Sequence, residues 1–399
     1  MDLKEQIYEL ITPTLLDELI SIRRHLHQHP ELSFKEHNTS AFIRKQLDSW
    51  GIPYRYPIVE TGIVASVKGE GKGLCIAVRA DMDALPIIEN SEVEFESKNQ
   101  GVMHACGHDL HMTSLLGAIW IADKLKSHFG GELLFIFQPG EELLPGGARL
   151  MLEEGIFDEN QPDAIIAQHV LPEMEAGHVG FREGRYMASN DEIYITVNGR
   201  GGHGALPQNI NDPVLMASHI LISLQQEIKR KAPSEVPTVL SFGKVAARGA
   251  TNVIPDHVEL EGTFRTMDEE WRKKAHGLIA QIADGIARSM GGSCDVEIRP
   301  GYPVLYNNEH ITRRAKKSAE DFLGADMVED MDLRMTAEDF AWFAQALPGM
   351  LYRFGVKEPG QNKVFNLHTP GFKADESALK TGAALLAYLS IELLQTKKD

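Results

Sequence analysis

Cysteine is scarce in this chain: three residues in 399, at Cys75, Cys106 and Cys294. Three cannot build a disulfide framework, so a reducing, cytoplasmic compartment is the expectation. Positive charge is also short, with 40 Lys and Arg against 57 Asp and Glu and a net charge of -17. Phosphate backbones and anionic lipid surfaces attract basic proteins, which excludes nucleic-acid and membrane partners. No apolar run approaches the roughly 20 residues that span a bilayer. The N-terminal MDLKEQIYELITPTLLDELI lacks the basic n-region and small-residue cleavage site of a signal peptide. Low-complexity tracts and solenoid-length repeats are missing as well.

What is present is a globular composition, 43% hydrophobic and 24% charged, in a chain long enough for two domains. Continuous apolar runs at 74–78 (LCIAV), 133–137 (LLFIF) and 164–167 (AIIA) read as strands buried on both faces of a mostly parallel sheet. Helical patterns at 38–50 and 113–127 lie among them, the first with Ala41, Ile43 and Leu47 toward one side. Chemistry-bearing side chains follow each strand: Asp81 and Asp83 in RADMD, Glu141 and Glu142 in QPGEE, His169 in QHV. Ligands collect at the carboxyl ends of strands in open α/β sheets, which makes these ends a candidate site.

The texture changes near 186. IYITVNG reads as a strand, DPVLMASHILISLQQEIKRK as a helix and VPTVLSFGKV as a strand. HVELEGTFRT is a further strand, DEEWRKKAHGLIAQIADGIARSM a helix and CDVEIRP a last strand. That β-α-β-β-α-β order predicts a ferredoxin-like domain of four antiparallel strands with two helices on one face. The first texture returns after 300, with a strand at 350–356. The fold class is therefore α/β, with residues 1–185 and 299–399 forming a main domain and 186–298 inserted into it.

The densest chemistry lies in HACGHDLHMT, residues 104–113. Cys106 and His108 place a thiolate and an imidazole on one turn of backbone, a donor pair suited to zinc and similar metals. A buried, inert cysteine is the competing reading. His111 either faces the site or starts a helix, while Asp109 and Thr113 are candidate helix caps. In QPGEE one carboxylate can bind metal while its neighbour takes a proton from an activated water, the division of labour that metal-assisted hydrolysis requires. Gly146 and Gly147 let that loop turn back. His169, and His368 in NLHTPGF, complete the candidate ligands. His25, His27 and His29 precede Pro30 and read as packing or solvent-facing residues.

These stretches resemble the M20 metallopeptidase family, in particular its aminoacylase-like amidohydrolase branch of hippurate, auxin-conjugate and N-acetyl-diaminopimelate hydrolases. The resemblance rests on RRHLHQHPELSFKE (23–36), RADMDALPI (79–87), HACGHDLHMT, QPGEE, GGHGALP (201–207), NVIP with EGTFRT (252–266), MTAEDFAWF (335–343) and NLHTPGF (366–372). Gln208 stands where relatives often carry histidine. The resemblance implies a zinc-aminopeptidase-like α/β/α catalytic domain and a ferredoxin-like lid used in dimerisation. It implies two divalent metal ions held by Cys106, His108, Glu142, His169 and His368, with the Cys106 thiolate bridging. Glu141 would be the general base. His203 would stabilise the oxyanion of the neighbouring subunit's active site, and Asn252 and Arg265 would grip a substrate carboxylate. Asp81 would steady a ligand histidine, and TAED (336–339) has the form of a helix capping box.

The expected activity is removal of an N-acyl group from an amino acid or small conjugate, by a cytoplasmic homodimer. Zinc or manganese, nickel or cobalt all suit the donors. A dipeptidase or carboxypeptidase of the same family and a non-catalytic binding protein are the rivals.

Overall fold

The computed structural model describes residues 1–395 and divides into two compact units. The first comprises Met1–Gly184, Tyr306–Asp332 and the chain from Asp339 onward. The second comprises Arg185–Leu305 and Leu333–Glu338. It thus runs beyond 186–298. Gly301 and Tyr302 donate their N–H groups to the carbonyl and side-chain oxygens of Asn190, at 2.9 and 2.7 Å. The later segment returns to give a backbone bond from Ala188 N–H to the Arg334 carbonyl, at 3.1 Å.

The first unit holds an eight-stranded mixed sheet. Its spatial order is Tyr54–Ile58, Gly62–Lys68, Glu132–Gln138, Cys75–Asp81, Ala164–Glu175, Gly349–Lys357, Val179–Phe181 and Val328–Asp330. The four central strands run parallel, whereas the first two pair antiparallel. Every residue of Cys75–Asp81 is buried, and Gly349–Lys357 is buried except at its last residue. Such strands have no solvent face, which is why they read as unbroken apolar runs rather than alternation. Two helices, His108–Lys124 and Ala378–Leu394, pack against each other beside the sheet and are buried almost all round. A single core cluster runs from Ile7 to Leu394 through both.

The second unit is a four-stranded antiparallel sheet in the order Thr238–Ala246, His257–Thr266, Asp191–Asn198, Ser293–Pro300. Chain order and sheet order together define the ferredoxin-like arrangement. Burial alternates along Asp191–Asn198, so Ile193, Ile195 and Val197 point inward. The helix Pro213–Lys231 meets them with Met216, Ile220, Leu224 and Ile228, spaced by four. Trp271, Ala275, Ile279, Ala283 and Ala287 do the same along Glu269–Ser289. Both helices start on an aspartate cap: Asp212 accepts from Val214 and Leu215, and Asp268 from Trp271. Phe264 lies fully buried in this core. Phe264→Ala is expected to destabilise the unit by about 3–5 kcal/mol, through lost burial and the cavity left behind, read as a shift in its urea unfolding transition.

Candidate metal centre

The first unit brings the carboxyl ends of its central strands together with the start of the helix His108–Lys124. Gly107 makes that entry at φ +79, and a Cβ there would lie 2.7 Å from a Val170 methyl. Glycine lets the backbone turn sharply against the neighbouring strand, which places Cys106 and His108 over the strand ends.

Two groups of potential donors form there, each with its donor atoms within 4.8 Å of one another. One is Cys106, His108 and His169; the other is Cys106, Glu142 and His368. Cys106 belongs to both. Its Sγ lies 3.5 Å from His169 Nε2 and 3.3 Å from His368 Nε2. His368 Nε2 is 3.0 Å from Glu142 Oε1. Glu141, His108 and Glu142 form a further group on the same scale. The residue His368 has a left-handed backbone (φ +57), held by a bond from its N–H to the Ala105 carbonyl at 2.8 Å. Non-glycine residues adopt that region at a cost that surrounding structure must overcome.

Ring orientation follows from hydrogen bonds. His108 Nδ1–H donates to the Asp83 carbonyl at 2.8 Å, and Nε2 has no hydrogen-bond partner among the described residues. His169 Nδ1–H donates to the Val170 carbonyl at 2.9 Å, which turns Nε2 toward Cys106. His111 is different. Its Nε2 accepts the Val170 N–H at 2.9 Å, so Nδ1 carries the proton and donates to Asp81 Oδ1 at 2.6 Å. Both ring nitrogens are occupied, and His111 is a structural post between two strands. Asp81 therefore steadies His111, while the backbone of Asp83 fixes His108. His104 is buried and neutral, with burial lowering it to about 4.

Charge in this pocket is one-sided. Burial, then the Glu142 and Glu141 carboxylates, push the Cys106 thiol well above its ordinary value. Burial opposes a charge on His108, yet Asp81, Asp83 and Glu142 together raise it to about 10. Burial and the Arg353 charge lower His169 well below the usual range, which leaves it neutral with a free lone pair. A thiol, three imidazoles and a carboxylate gathered in two adjoining groups fit divalent metal ions, which would stabilise the thiolate.

Sequence reasoning passed over the groups that hold this arrangement. Arg79 is buried toward the end of the strand Cys75–Asp81, after four buried apolar residues. Its guanidinium donates to Gln138 Oε1 at 2.7 Å, Asp81 Oδ2 at 2.8 Å and Asp339 Oδ1 at 2.8 Å. A buried arginine requires such partners, and that requirement was the available signal. Asp339 also accepts from Gln138 Nε2 and from the Ala148 N–H. It is no helix cap: the helix Ala341–Ala346 starts at Phe340 without a side-chain bond. Asp109 does not cap its helix either. It bonds Arg23 Nε at 2.8 Å and His27 Nδ1 at 2.9 Å, and His27 Nε2 meets Glu89 at 2.9 Å. His27 is thus part of a buried ion network, while His25 stacks on Phe42 and meets the His29 ring at a tilt.

His203, Asn252 and Arg265 lie in the second unit. His203 is exposed, in a short pairing of Gly202–His203 with Val253–Ile254. Its Nδ1 accepts the Ala205 N–H at 3.1 Å, which puts the ring proton on Nε2 and makes that atom a donor. Asn252 is exposed. Arg265 is half-buried and donates to the Met335 carbonyl at 3.1 Å.

The model of Peptidase family M20/M25/M40 matches residues 77–392. The chain belongs to this family, and so to its metal-dependent hydrolases. It is 36% identical over 399 residues to the N-acetyl-L-cysteine deacetylase of Bacillus subtilis, covering 100% of this chain and 94% of that one. It is 35% identical over 395 residues to thermostable carboxypeptidase 2 of Saccharolobus solfataricus, covering 98% and 99%. Among solved structures, a dinuclear metal-binding M20 peptidase of Bacillus subtilis superposes with a TM-score of 0.83 at 34% identity, covering 97% of this chain and 100% of that one.

The Asp109 network is testable by pH. Burial alone would raise this carboxyl, but Arg23 and His27 outweigh it and hold it far below the usual range. A depressed folded-state pKa stabilises the fold above the unfolded value and loses that stabilisation as pH falls below it. Asp109→Asn, which leaves Arg23 facing no charge there, is expected to lower stability at neutral pH by about 3–5 kcal/mol. In urea titrations the gap between wild type and variant should be widest between pH ~4 and ~6.5, narrowing below it as Asp109 takes up its proton and above it as His27, raised by Asp109, gives up its own.

Proposed function

We propose that this protein is a dinuclear metal-dependent amidohydrolase that removes the acyl group from the nitrogen of an amino acid or small amino-acid conjugate. The observation that carries the reading is the sharing of Cys106 between two donor groups with Glu141 beside them. Cys106, His108, Glu142, His169 and His368 would hold the ions, zinc or manganese by donor type, with nickel and cobalt also suited. When bound, the two cations polarise the amide carbonyl and acidify a water. Glu141 takes the proton from the attacking water and delivers it to the leaving amine nitrogen. Its carboxylate is largely buried, so the proton transfer is shielded from bulk solvent. His203 Nε2–H is the donor we assign to the oxyanion in the neighbouring subunit's active site, and the Arg265 guanidinium with the Asn252 amide to the substrate carboxylate.

The deacetylase relative supports an N-acyl substrate. The carboxypeptidase relative favours the second reading, a peptidase cutting next to a free carboxylate. Dimerisation through the second unit is supported by Leu215 and Ile222, exposed on one helix, and Val239 and Val245, exposed on the edge strand. A cytoplasmic location is supported by three unpaired cysteines.

Hydrolysis rates over N-acetyl and N-benzoyl amino acids and dipeptides separate the two readings: faster turnover of dipeptides would overturn ours. Glu141→Gln should lose about 10²–10⁴-fold in kcat while metal analysis finds the wild-type content. Cys106→Ser should lower both the metal content and the activity, and a variant with two tightly held ions would remove the bridging role.

A further inference from the structure

The segment RRHLHQHPELSFKE ends in Ser33, Phe34 and Glu36, for which the proposed chemistry has no task. All three reach the turn Pro139–Glu142 or its support. Glu36 is fully buried. Its Oε1 accepts the Gly140 N–H at 2.8 Å and the Phe34 N–H at 2.9 Å, and its Oε2 accepts the Thr61 hydroxyl at 2.9 Å. Ser33 Oγ–H donates to Asp83 Oδ2 at 2.6 Å, and that same oxygen accepts the Glu142 N–H at 2.9 Å. Phe34 sits in the left-handed region (φ +62) with its ring over Gly140, where a Cβ would lie 2.3 Å from a ring carbon. Gly140 itself has φ +61.

A carboxylate removed from water is costly unless donors surround it, and an apolar side chain would fill the same space more cheaply. Glu36 therefore does something directional. Gly140 leaves this turn free to tilt after Pro139, and the turn carries two adjacent glutamates with different tasks. Two backbone N–H groups of the turn, at Gly140 and Glu142, are each gripped by a buried carboxylate, and the Phe34 ring closes over the glycine between the strand end and the glutamates. We propose that Ser33, Phe34 and Glu36 form a clamp that sets the directions of Glu141 and Glu142, and that Glu36 and Phe34 are positioning residues for the hydrolysis. The proposal rests on the roles given above to Glu141 and Glu142. Burial, with Asp83 close by, pushes the Glu36 carboxyl up to about 7. Glutamine, uncharged and still offering one oxygen to the two N–H groups, is accordingly the conservative replacement.

The test compares wild type, Glu36→Ala, Glu36→Gln and Phe34→Ala in the full chain with saturating Mn²⁺. Two readouts are taken: amide hydrogen exchange of peptides covering 138–142, and kcat and KM on the best N-acyl substrate. Exchange reports the clamp whether or not the catalytic roles are right. We expect Glu36→Ala to speed exchange across the turn and to lower kcat by about 10-fold or more with KM changed less than ~3-fold, because misplacing a catalytic group by an ångström is enough. Glu36→Gln should restore both readouts to within ~3-fold of wild type. Phe34→Ala, which keeps the Glu36 bonds, should repeat the kcat loss and carries the test if Glu36→Ala does not fold. Wild-type exchange in the alanine variants would overturn the clamp. Faster exchange with unchanged kcat would overturn its positioning role. Full turnover by Glu141→Gln would instead overturn the underlying reading while leaving the exchange result standing.

Discussion

Negative charge gathered where water is scarce is the constraint on which the first unit depends. Asp81, Asp83, Glu141 and Glu142 converge at the ends of buried strands, in surroundings where an uncompensated anion is expensive. The protein answers part of that demand with its own cations. Arg79 takes Asp81 and Asp339, and Arg23 with His27 takes Asp109. Beside Cys106, Asp81, Asp83 and Glu142 raise His108 to about 10 against its burial. Thiol, imidazole and carboxylate donors set close together in this way suit divalent metal ions.

The same constraint explains why so much of the surrounding structure is polar yet buried. Carboxylates that would otherwise destabilise the core are converted into struts by directed donors: backbone N–H groups at Gly140, Glu142 and Ala148, hydroxyls at Ser33 and Thr61, and guanidinium forks at Arg79. Each strut joins segments far apart in the chain. Positioning of this kind limits the freedom of loop-borne groups to fractions of an ångström, the scale on which proton transfer is sensitive.

Much of the fold was legible because its signals are local. Unbroken apolar runs marked the doubly covered strands, and the helix and strand periods of 186–298 produced the ferredoxin-like order directly, matching the sheet found. The short antiparallel pair Tyr54–Ile58 and Gly62–Lys68 escaped notice, since the first of these strands carries a mostly solvent-facing pattern. Asp109 suits a helix cap and Asp339 the far end of a capping box because local spacing is all that these patterns use, whereas their partners Arg23 and Arg79 lie 86 and 260 residues away. Arg79 was the missed clue: a charge inside a run of buried residues announces distant carboxylates without saying which.

Residue types and their order determined by themselves the two-texture α/β architecture, the family motifs and the inventory of donors, because periodicity and short-range spacing are written along the chain. Which nitrogen of each histidine is free, which carboxylate braces and which stays available, and that Cys106 stands between His169 and His368 were decided only by the tertiary structure. Those outcomes depend on the meeting of groups up to 262 residues apart. A hydrogen bond exists only at about 3 Å, a distance that no linear spacing encodes.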